Sequence, residues 1–483
     1  MSDGLILLTG ANGYVGRRLL PRLLGRGLRV RCLSRRRSLP ANDKTARVEW
    51  VRGDALDPAS VARAMEGVSS AYYLIHSLEH RGDFEALDRQ AAANFAEAAR
   101  SRGVGRIVYL GGLGDSSQAL SAHLKSRQEV GRILRTSGAD VVEFRAAAVI
   151  GSGSLSFELV RALVERLPGM VCPRWVRTMT QPIGIDDLLE YLLAGLNVRR
   201  GTDGIYEIGG PDRVSYGDIM RAYARQRGLR RIMIPVPVLT PRLSSLWLAL
   251  VTPLYARVGR RLIEGVRNPT IVTSNAAIEA FVVRPRGLRE CIRRALAQED
   301  DAFDAAPLAD LAADKPDDRR QTAWRWGNRI LDRRTATVSV SPERAFKPIR
   351  IIGGQTGWYY ADWLWEFRGL VDRLVGGPGL HSKETRQGAT SVGDVVDCWK
   401  VVAYEPARRL RLEAQMKLPG RAWLEFDVTA SGSGARIRQT AAFEPLGVAG
   451  LLYWYATKPT HEAVFAGMLK EIARRAESDI EDV

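Results

Sequence analysis

The residues with the clearest chemistry stand near the start of the chain, where Leu5-Ile6-Leu7-Leu8-Thr9 runs into Gly10-Ala11-Asn12-Gly13-Tyr14-Val15-Gly16. An apolar strand that enters a GxxGxxG turn and leaves as a helix suits a diphosphate. The first glycine permits the tight turn, the second lets a pyrophosphate approach the backbone, and the third allows close helix–strand packing. The helix beyond offers free N–H groups and a partial positive charge to phosphate oxygens. The next strand ends in Leu33-Ser34-Arg35-Arg36, without the acid that would hold a ribose 2′-hydroxyl. A guanidinium at that point suits a 2′-phosphate, which selects NADP in preference to NAD. Gly53, Asp54 and Ala55 close a third strand, where the carboxylate can reach an adenine amino group.

These residues need a scaffold, and the first 298 residues have the pattern of one. LILLTG, RVRCLS, VEWVRGD, AYYLIHS, RIVYLGG and VVEFRAA alternate with helical stretches. Such alternation predicts an α/β fold, a doubly wound parallel sheet of Rossmann type with helices on both faces. The acidic stretch EDDAFDAAPLADLAADKPDDRR (299–320) is expected to be a linker. Residues 321–483 have a different texture, with eight of the eleven tryptophans, strands such as VVDCWKVVAY, RLRLEAQMK and AWLEFDVTA, and a helical pattern at about 447–476. That predicts an α+β domain with an antiparallel sheet and a terminal helix.

Composition narrows the classes further. With 46% hydrophobic and 26% charged residues, the chain has an ordinary globular balance. No apolar run is long enough to span a bilayer, and the N-terminus lacks the basic region and cleavage site of a signal peptide. Cys32, Cys172, Cys291 and Cys398 are scattered without a CxxC, which points away from disulfides and zinc and toward a reducing cytoplasm. His381 and His461 have no metal-ligand spacing. The net charge of +17 attracts anions, but only nine of the 71 basic residues are lysine and no nucleic-acid module is present.

The ordered motifs TGANGYVG (9–16), YYLIHS (72–77), IVYLGG (107–112), FRAAAVIGSGS (144–154), QPIGIDDL (181–188) and YEIGGPDRVSYGDIM (206–220) resemble those of atypical and extended short-chain dehydrogenases. The NmrA-like proteins and the NADPH-holding accessory subunit of respiratory complex I are the nearest in pattern. The resemblance covers residues 1 to about 290 and implies that Ile75 and His76 border the cofactor ribose. It also implies that Ala146 to Ala148 pass near the nicotinamide and that Gly111 lies on its catalytic side. One departure matters. Active members carry a Tyr-x-x-x-Lys pair, and the matching stretch here is Ser121-Ala122-His123-Leu124-Lys125-Ser126-Arg127. One frame puts His123 and Arg127 in the two places; the other keeps Lys125 but gives Ser121 for tyrosine. His123 could serve as a general acid near neutral pH, and Arg127 could grip the ribose.

The stretch 242–268 combines an apolar helix, a break near Pro253 and a basic end. Two readings stand: a core helix over an apolar pocket, or a segment in a membrane interface that brings the protein to the inner membrane as a peripheral contact. Residues 321–483 resemble the domain of unknown function that accompanies such dehydrogenase modules in bacteria, and more distantly the START and polyketide-cyclase superfamily. That likeness implies a helix-grip fold and a hydrophobic small-molecule ligand. The expectation is an NADP-dependent oxidoreductase acting on a hydrophobic carbonyl or quinone-like compound. The alternative is a non-catalytic NADPH-binding sensor or scaffold whose second domain binds a lipid or a partner protein. The sequence does not set the substrate or the oligomeric state.

Overall fold

Strand β1 (Leu5–Thr9) sets the plan of the first half: Ile6 and Leu8 enter one apolar cluster, while Leu7 enters the cluster on the opposite face. A strand whose two faces are both buried belongs inside a helix-covered parallel sheet. The computed structural model describes residues 4–36, 47–77, 83–115, 119–198, 204–236, 265–308, 310–312, 323–374, 376 and 391–478. It divides into two compact units, Met1–Ala297 and Gln298–Val483. The apolar-and-basic stretch 242–268 falls outside the described residues up to position 264.

After β1 the first unit runs α1 (Tyr14–Gly25), β2 (Val30–Ser34), β3 (Val48–Arg52), α2 (Pro58–Ala64), β4 (Val68–Tyr73) and α3 (Phe84–Ser101). It continues with β5 (Arg106–Gly112), α4 (Ala122–Arg135), β6 (Asp140–Ala146), α5 (Leu155–Arg166), α6 (Ile185–Gly195), β7 (Gly204–Ile208) and α7 (Tyr216–Gln226). The seven strands pair in the order β7-β6-β5-β4-β1-β2-β3, all parallel. The expected parallel α/β sheet is therefore present. The strand order reverses between β1 and β4, and ligands of such sheets bind in the crevice at that switch point.

Helix α8 (Ala276–Ala280) and helix α9 (Leu288–Ala305) follow. The second unit then holds β8 (Ala323–Trp326), β9 (Arg329–Val338), α10 (Pro342–Arg350), α11 (Asp362–Leu374) and β10 (Val395–Val396). It ends with β11 (Trp399–Glu405), β12 (Arg409–Ala414), β13 (Gly420–Ser431), β14 (Gly434–Pro445) and α12 (Gly447–Glu477). Its antiparallel sheet has the order β8-β9-β14-β13-β12-β11-β10. Alternation sorts the side chains: Leu424, Phe426, Ile437 and Ala441 pack with Phe465, Met468 and Ile472 of α12, whereas Leu331, Trp423 and Ala442 face the other way.

The first ten residues of the acidic stretch, 299–308, lie on that other face. Residues 299–305 continue helix α9, and Phe303 and Leu308 are fully buried against Leu331 and Trp423. The buried Arg411 donates to the carbonyls of Phe303 (2.9 Å) and Asp304 (3.3 Å) and to that of Ala306, and pairs with Glu425 at 2.6 Å. Glu425 in turn accepts from the Leu308 N–H at 2.6 Å. The acidic composition concealed two apolar residues that the sheet needs. Replacing Phe303 by Ala should lower the stability of the second unit by about 3–5 kcal/mol. Denaturant unfolding followed by tryptophan fluorescence would measure it, and an unchanged midpoint would show that this face does not depend on the ring.

Candidate functional site

The crevice at the switch point begins with the glycine turn. Gly10 has φ +68°, and a Cβ on it would lie 2.6 Å from the Leu74 carbonyl oxygen. A Cβ on Gly16 would lie 2.2 Å from the Gly10 oxygen, so α1 can abut the turn only without a side chain there. The Gly13 N–H donates to the Gly10 carbonyl at 2.8 Å and closes the turn. Gly13 is also the N-cap of α1 and supplies no side-chain acceptor, so the first-turn N–H groups face an anion-sized need without a cap. Ala11 is buried. Tyr14 turns away: its ring takes the Arg18 guanidinium at 4.2 Å, and its hydroxyl would lie 2.2 Å from a Cβ on Gly151. Burial pushes that phenol well above its ordinary range. Tyr14 is a packing group, while its backbone and that of Val15 belong to the helix start.

The neighbouring strand ends supply the adenosine side. Ser34 is 3% exposed, and its hydroxyl accepts from the Asn12 amide (2.8 Å) and the Arg36 N–H (3.2 Å). This ties the glycine turn to the end of β2, where Arg35 and Arg36 are exposed. At the end of β3, Asp54 accepts from the Leu56 N–H at 3.1 Å, and its own N–H donates to Ser60 at 3.0 Å. The Ala55 carbonyl accepts from Asn94 of α3 at 3.0 Å. Asn12, Ser34, Arg35, Arg36, Asp54 and Ala55 thus stand at three adjacent strand ends, where a diphosphate-bound nucleotide would extend its adenosine.

On the other side of the switch point the structure changes the roles expected of His123 and Arg127. Arg127 is only 7% exposed. Its fork donates to the Ile75 carbonyl at 3.1 Å and to that of Leu110, and its guanidinium lies 5.0 Å from the Tyr109 ring centre. Tyr109 returns a hydrogen bond to the Arg127 carbonyl at 2.6 Å. Arg127 therefore clamps the ends of β4 and β5 instead of offering its fork to a ribose. His123 lies with its ring 6.2 Å from that of His76. Burial first, then the charges of Arg127 and His76, hold its pKa down to about 3. At neutral pH His123 is an uncharged imidazole, which can donate a hydrogen bond but is not the general acid that its ordinary pKa suggests.

The β5–β6 tip is a register match, with Gly112 opposite Ala146 and the Leu113 N–H donating to the Ala146 carbonyl at 2.9 Å. Gly111 leaves room for Glu143: a Cβ on it would lie 3.2 Å from that carboxylate, which is buried between Arg135 (2.9 Å) and Arg145 (2.7 Å). One group escaped the sequence reading. Asp88 on α3 is 2% exposed and accepts from the Ser77 N–H (2.8 Å) and the Ser126 hydroxyl (3.1 Å). It joins the segment after His76 to the helix that carries His123 and Arg127. The later motifs are framework: Gln181 donates to the Gly210 carbonyl (2.7 Å), Asp187 accepts from the Arg286 N–H (2.9 Å), and Ser215 and Asp218 cap α7.

Comparison with known proteins agrees with this geometry. Residues 10–161 match a family model described as NAD(P)H-binding. The match covers the first half of the first unit, from the glycine turn to α5. Residues 326–468 match a second model, described as a protein of unknown function (DUF2867). The chain is 27% identical over 239 residues to a ceramide reductase of Caulobacter vibrioides, covering 48% of this chain and 74% of that protein. It is 26% identical over 266 residues to a putative dihydroflavonol 4-reductase of Synechocystis sp., covering 50% and 77%. Among solved structures, the triphenylmethane reductase of Citrobacter sp. superposes with a TM-score of 0.50 at 18% identity, over 60% of this chain and 99% of that one. That likeness is one of fold.

Two outcomes follow from the geometry. Gly16→Val should cut NADPH affinity by more than about tenfold, because α1 must move off the turn that receives the diphosphate. Calorimetry reads the affinity, and circular dichroism checks that the fold survives. The His123 pKa lies below its ordinary value of 6.5, so its contribution to stability is complete above 6.5 and is lost as the pH falls toward about 3. Its ring resonances should keep their neutral positions from roughly pH 8 down to pH 5. A titration centred near 6.5 would return His123 to the role of acid.

Proposed function

We propose that the protein is an NADP-dependent oxidoreductase that transfers hydride between the nicotinamide and a hydrophobic carbonyl or quinone-like compound. The observation that carries this reading is the glycine cradle of Gly10, Gly13 and Gly16, tied through Asn12 and Ser34 to a strand end bearing Arg35 and Arg36. The turn suits a dinucleotide, since Gly10 and Gly16 let the turn pack directly against Leu74 and α1, and the helix start carries no side-chain cap of its own. Gly13, Tyr14 and Val15 would face the diphosphate through their backbone, and Arg35 or Arg36 the 2′-phosphate. Bound there, the cofactor would supply the hydride. For its part the chain orients the acceptor: a neutral His123 can donate a hydrogen bond to its oxygen. Arg127, fixed on two carbonyls, adds positive potential where negative charge develops. The two curated relatives are reductases by name, one of them of a lipid, which supports an apolar substrate.

A second reading has its own observation. Arg127 spends its fork on backbone carbonyls and His123 is held neutral, so among the described residues no tyrosine–lysine pair stands beside the crevice. This favours a protein that binds NADPH as a sensor or scaffold in the cytoplasm. One experiment separates the two. Purified protein with NADPH and a panel of quinones, aldehydes and long-chain ketones should consume NADPH, followed by nicotinamide absorbance; tight binding without any oxidation would favour the sensor. Arg35→Asp should move the ratio of NADP to NAD affinities toward NAD by roughly tenfold or more, the worth of a charge-assisted phosphate contact. An unchanged ratio would take Arg35 out of the site.

A further inference from the structure

The face of the antiparallel sheet beneath α12 is mainly apolar, and a group of polar residues interrupts it. Asp332 and Arg334 of β9 are two residues apart and share that face, and Gln439 of β14 stands directly opposite Arg334. His461 of α12 brings its Nδ1 to 3.6 Å from the Asp332 carboxylate. Asp332 and Gln439 are 4% and 1% exposed. Arg334 donates to Asp332 at 3.1 Å, and the Gln439 amide donates to the Met468 sulfur at 3.3 Å. Even so, Asp332 Oδ1, Arg334 Nε, Gln439 Oε1 and His461 Nδ1 are buried without a hydrogen-bond partner among the described residues. Buried polar atoms are normally paired, so four such atoms in one cluster call for a group that supplies the missing bonds.

The surroundings define that group. The His461 ring stacks on Phe465, 4.0 Å between centres, and lies 5.2 Å from Trp454, which stacks on Phe443 at 5.8 Å. Phe465 also meets Trp365 of α11 at 6.4 Å, whose indole N–H is likewise buried without a partner. Polar anchors among aromatic walls are the usual make-up of a small-molecule site. Burial holds the His461 pKa down to about 4 against the pull of Asp332, with Arg334 adding to the lowering and Glu462 opposing it. The imidazole is thus neutral near pH 7 and does not cancel the carboxylate. An anion would meet Asp332 and a cation would meet Arg334, so a neutral group fits where a charged one does not. Asp332 Oδ1 and Gln439 Oε1 accept while Arg334 Nε donates, and a hydroxyl is the smallest group that does both. The side chains of Arg334 and His461 each keep 17% of their surface exposed, which leaves a way in from solvent. We propose that the second unit binds a neutral apolar alcohol or phenol whose hydroxyl is held by Asp332, Arg334, Gln439 and His461. The proposal rests on the second unit alone and is independent of the nucleotide site.

The test is calorimetry of the full chain with 2-naphthol, set beside 2-methoxynaphthalene, which cannot donate, and 2-naphthoate, which is charged. Binding of 2-naphthol should exceed that of either comparison compound by roughly tenfold or more, the worth of one charge-assisted hydrogen bond. Gln439→Leu and His461→Phe keep the apolar packing and should each lower 2-naphthol affinity by roughly tenfold. Their thermal midpoints should match or exceed that of the wild type, because an apolar side chain replaces an unpaired buried atom. Weaker binding by an equally stable protein is a result that a packing role does not produce. Failure of 2-naphthol to bind would overturn the proposal and leave the cluster to buried water. So would equal affinity for 2-methoxynaphthalene or undiminished binding by both variants. Thermal midpoints lowered in both variants would also overturn it, and would assign the four residues to the fold.

Discussion

A contact that leaves no room for a carbon atom organises the first unit. Because α1 approaches the turn after β1 so closely that the Gly10 oxygen would lie 2.2 Å from any Cβ at position 16, the helix axis points its unpaired N–H groups into the crevice. Everything that follows is placed relative to that crevice. The strand order reverses beside it, Asn12 and Ser34 lock its floor to β2, and Thr9 reaches across to the Tyr72 carbonyl at 2.8 Å to set β4 alongside. Backbone geometry, more than side-chain chemistry, shapes this crevice.

The opposite wall is held by buried polar groups. Arg127 joins two strand ends, and Asp88 joins the segment after β4 to α4. Buried charges of this kind give little net stability against apolar replacements, yet removing one partner is costly. They suit a wall that must keep a single shape. Burial, then the fixed Arg127 cation and the His76 imidazole, keep His123 uncharged, against the opposing pull of the Asp88 carboxylate.

The parallel sheet and the glycine cradle were legible in the sequence because both impose local rules. A doubly buried strand must be apolar throughout, and a close backbone approach admits only glycine. The role of Arg127 was not legible, since an alignment gives the position of a guanidinium and not the carbonyls it will meet. Asp88 left a faint mark: it sits three, four and seven residues before Ala91, Ala92 and Phe95, on the buried side of its helix. An acid on such a face demands partners, but nothing in the sequence names them. The burial of Phe303 and Leu308 within the acidic stretch is hidden for a different reason. Composition averages over a window, whereas burial is decided one side chain at a time, and Phe303 and Leu308 are two among many acids and alanines.

The clasp of Arg411 and Glu425 on residues 303–308 has a practical bearing on where the second unit starts. The matched family region opens at residue 326, yet the lid over the back of its sheet is donated by chain that precedes it. A fragment cut to that region would bare Leu331 and Trp423 and leave an arginine and a glutamate without their backbone partners. Independent expression of this module therefore calls for a start ahead of Phe303, and relatives should carry a pair of large apolar residues shortly upstream of their own first strand.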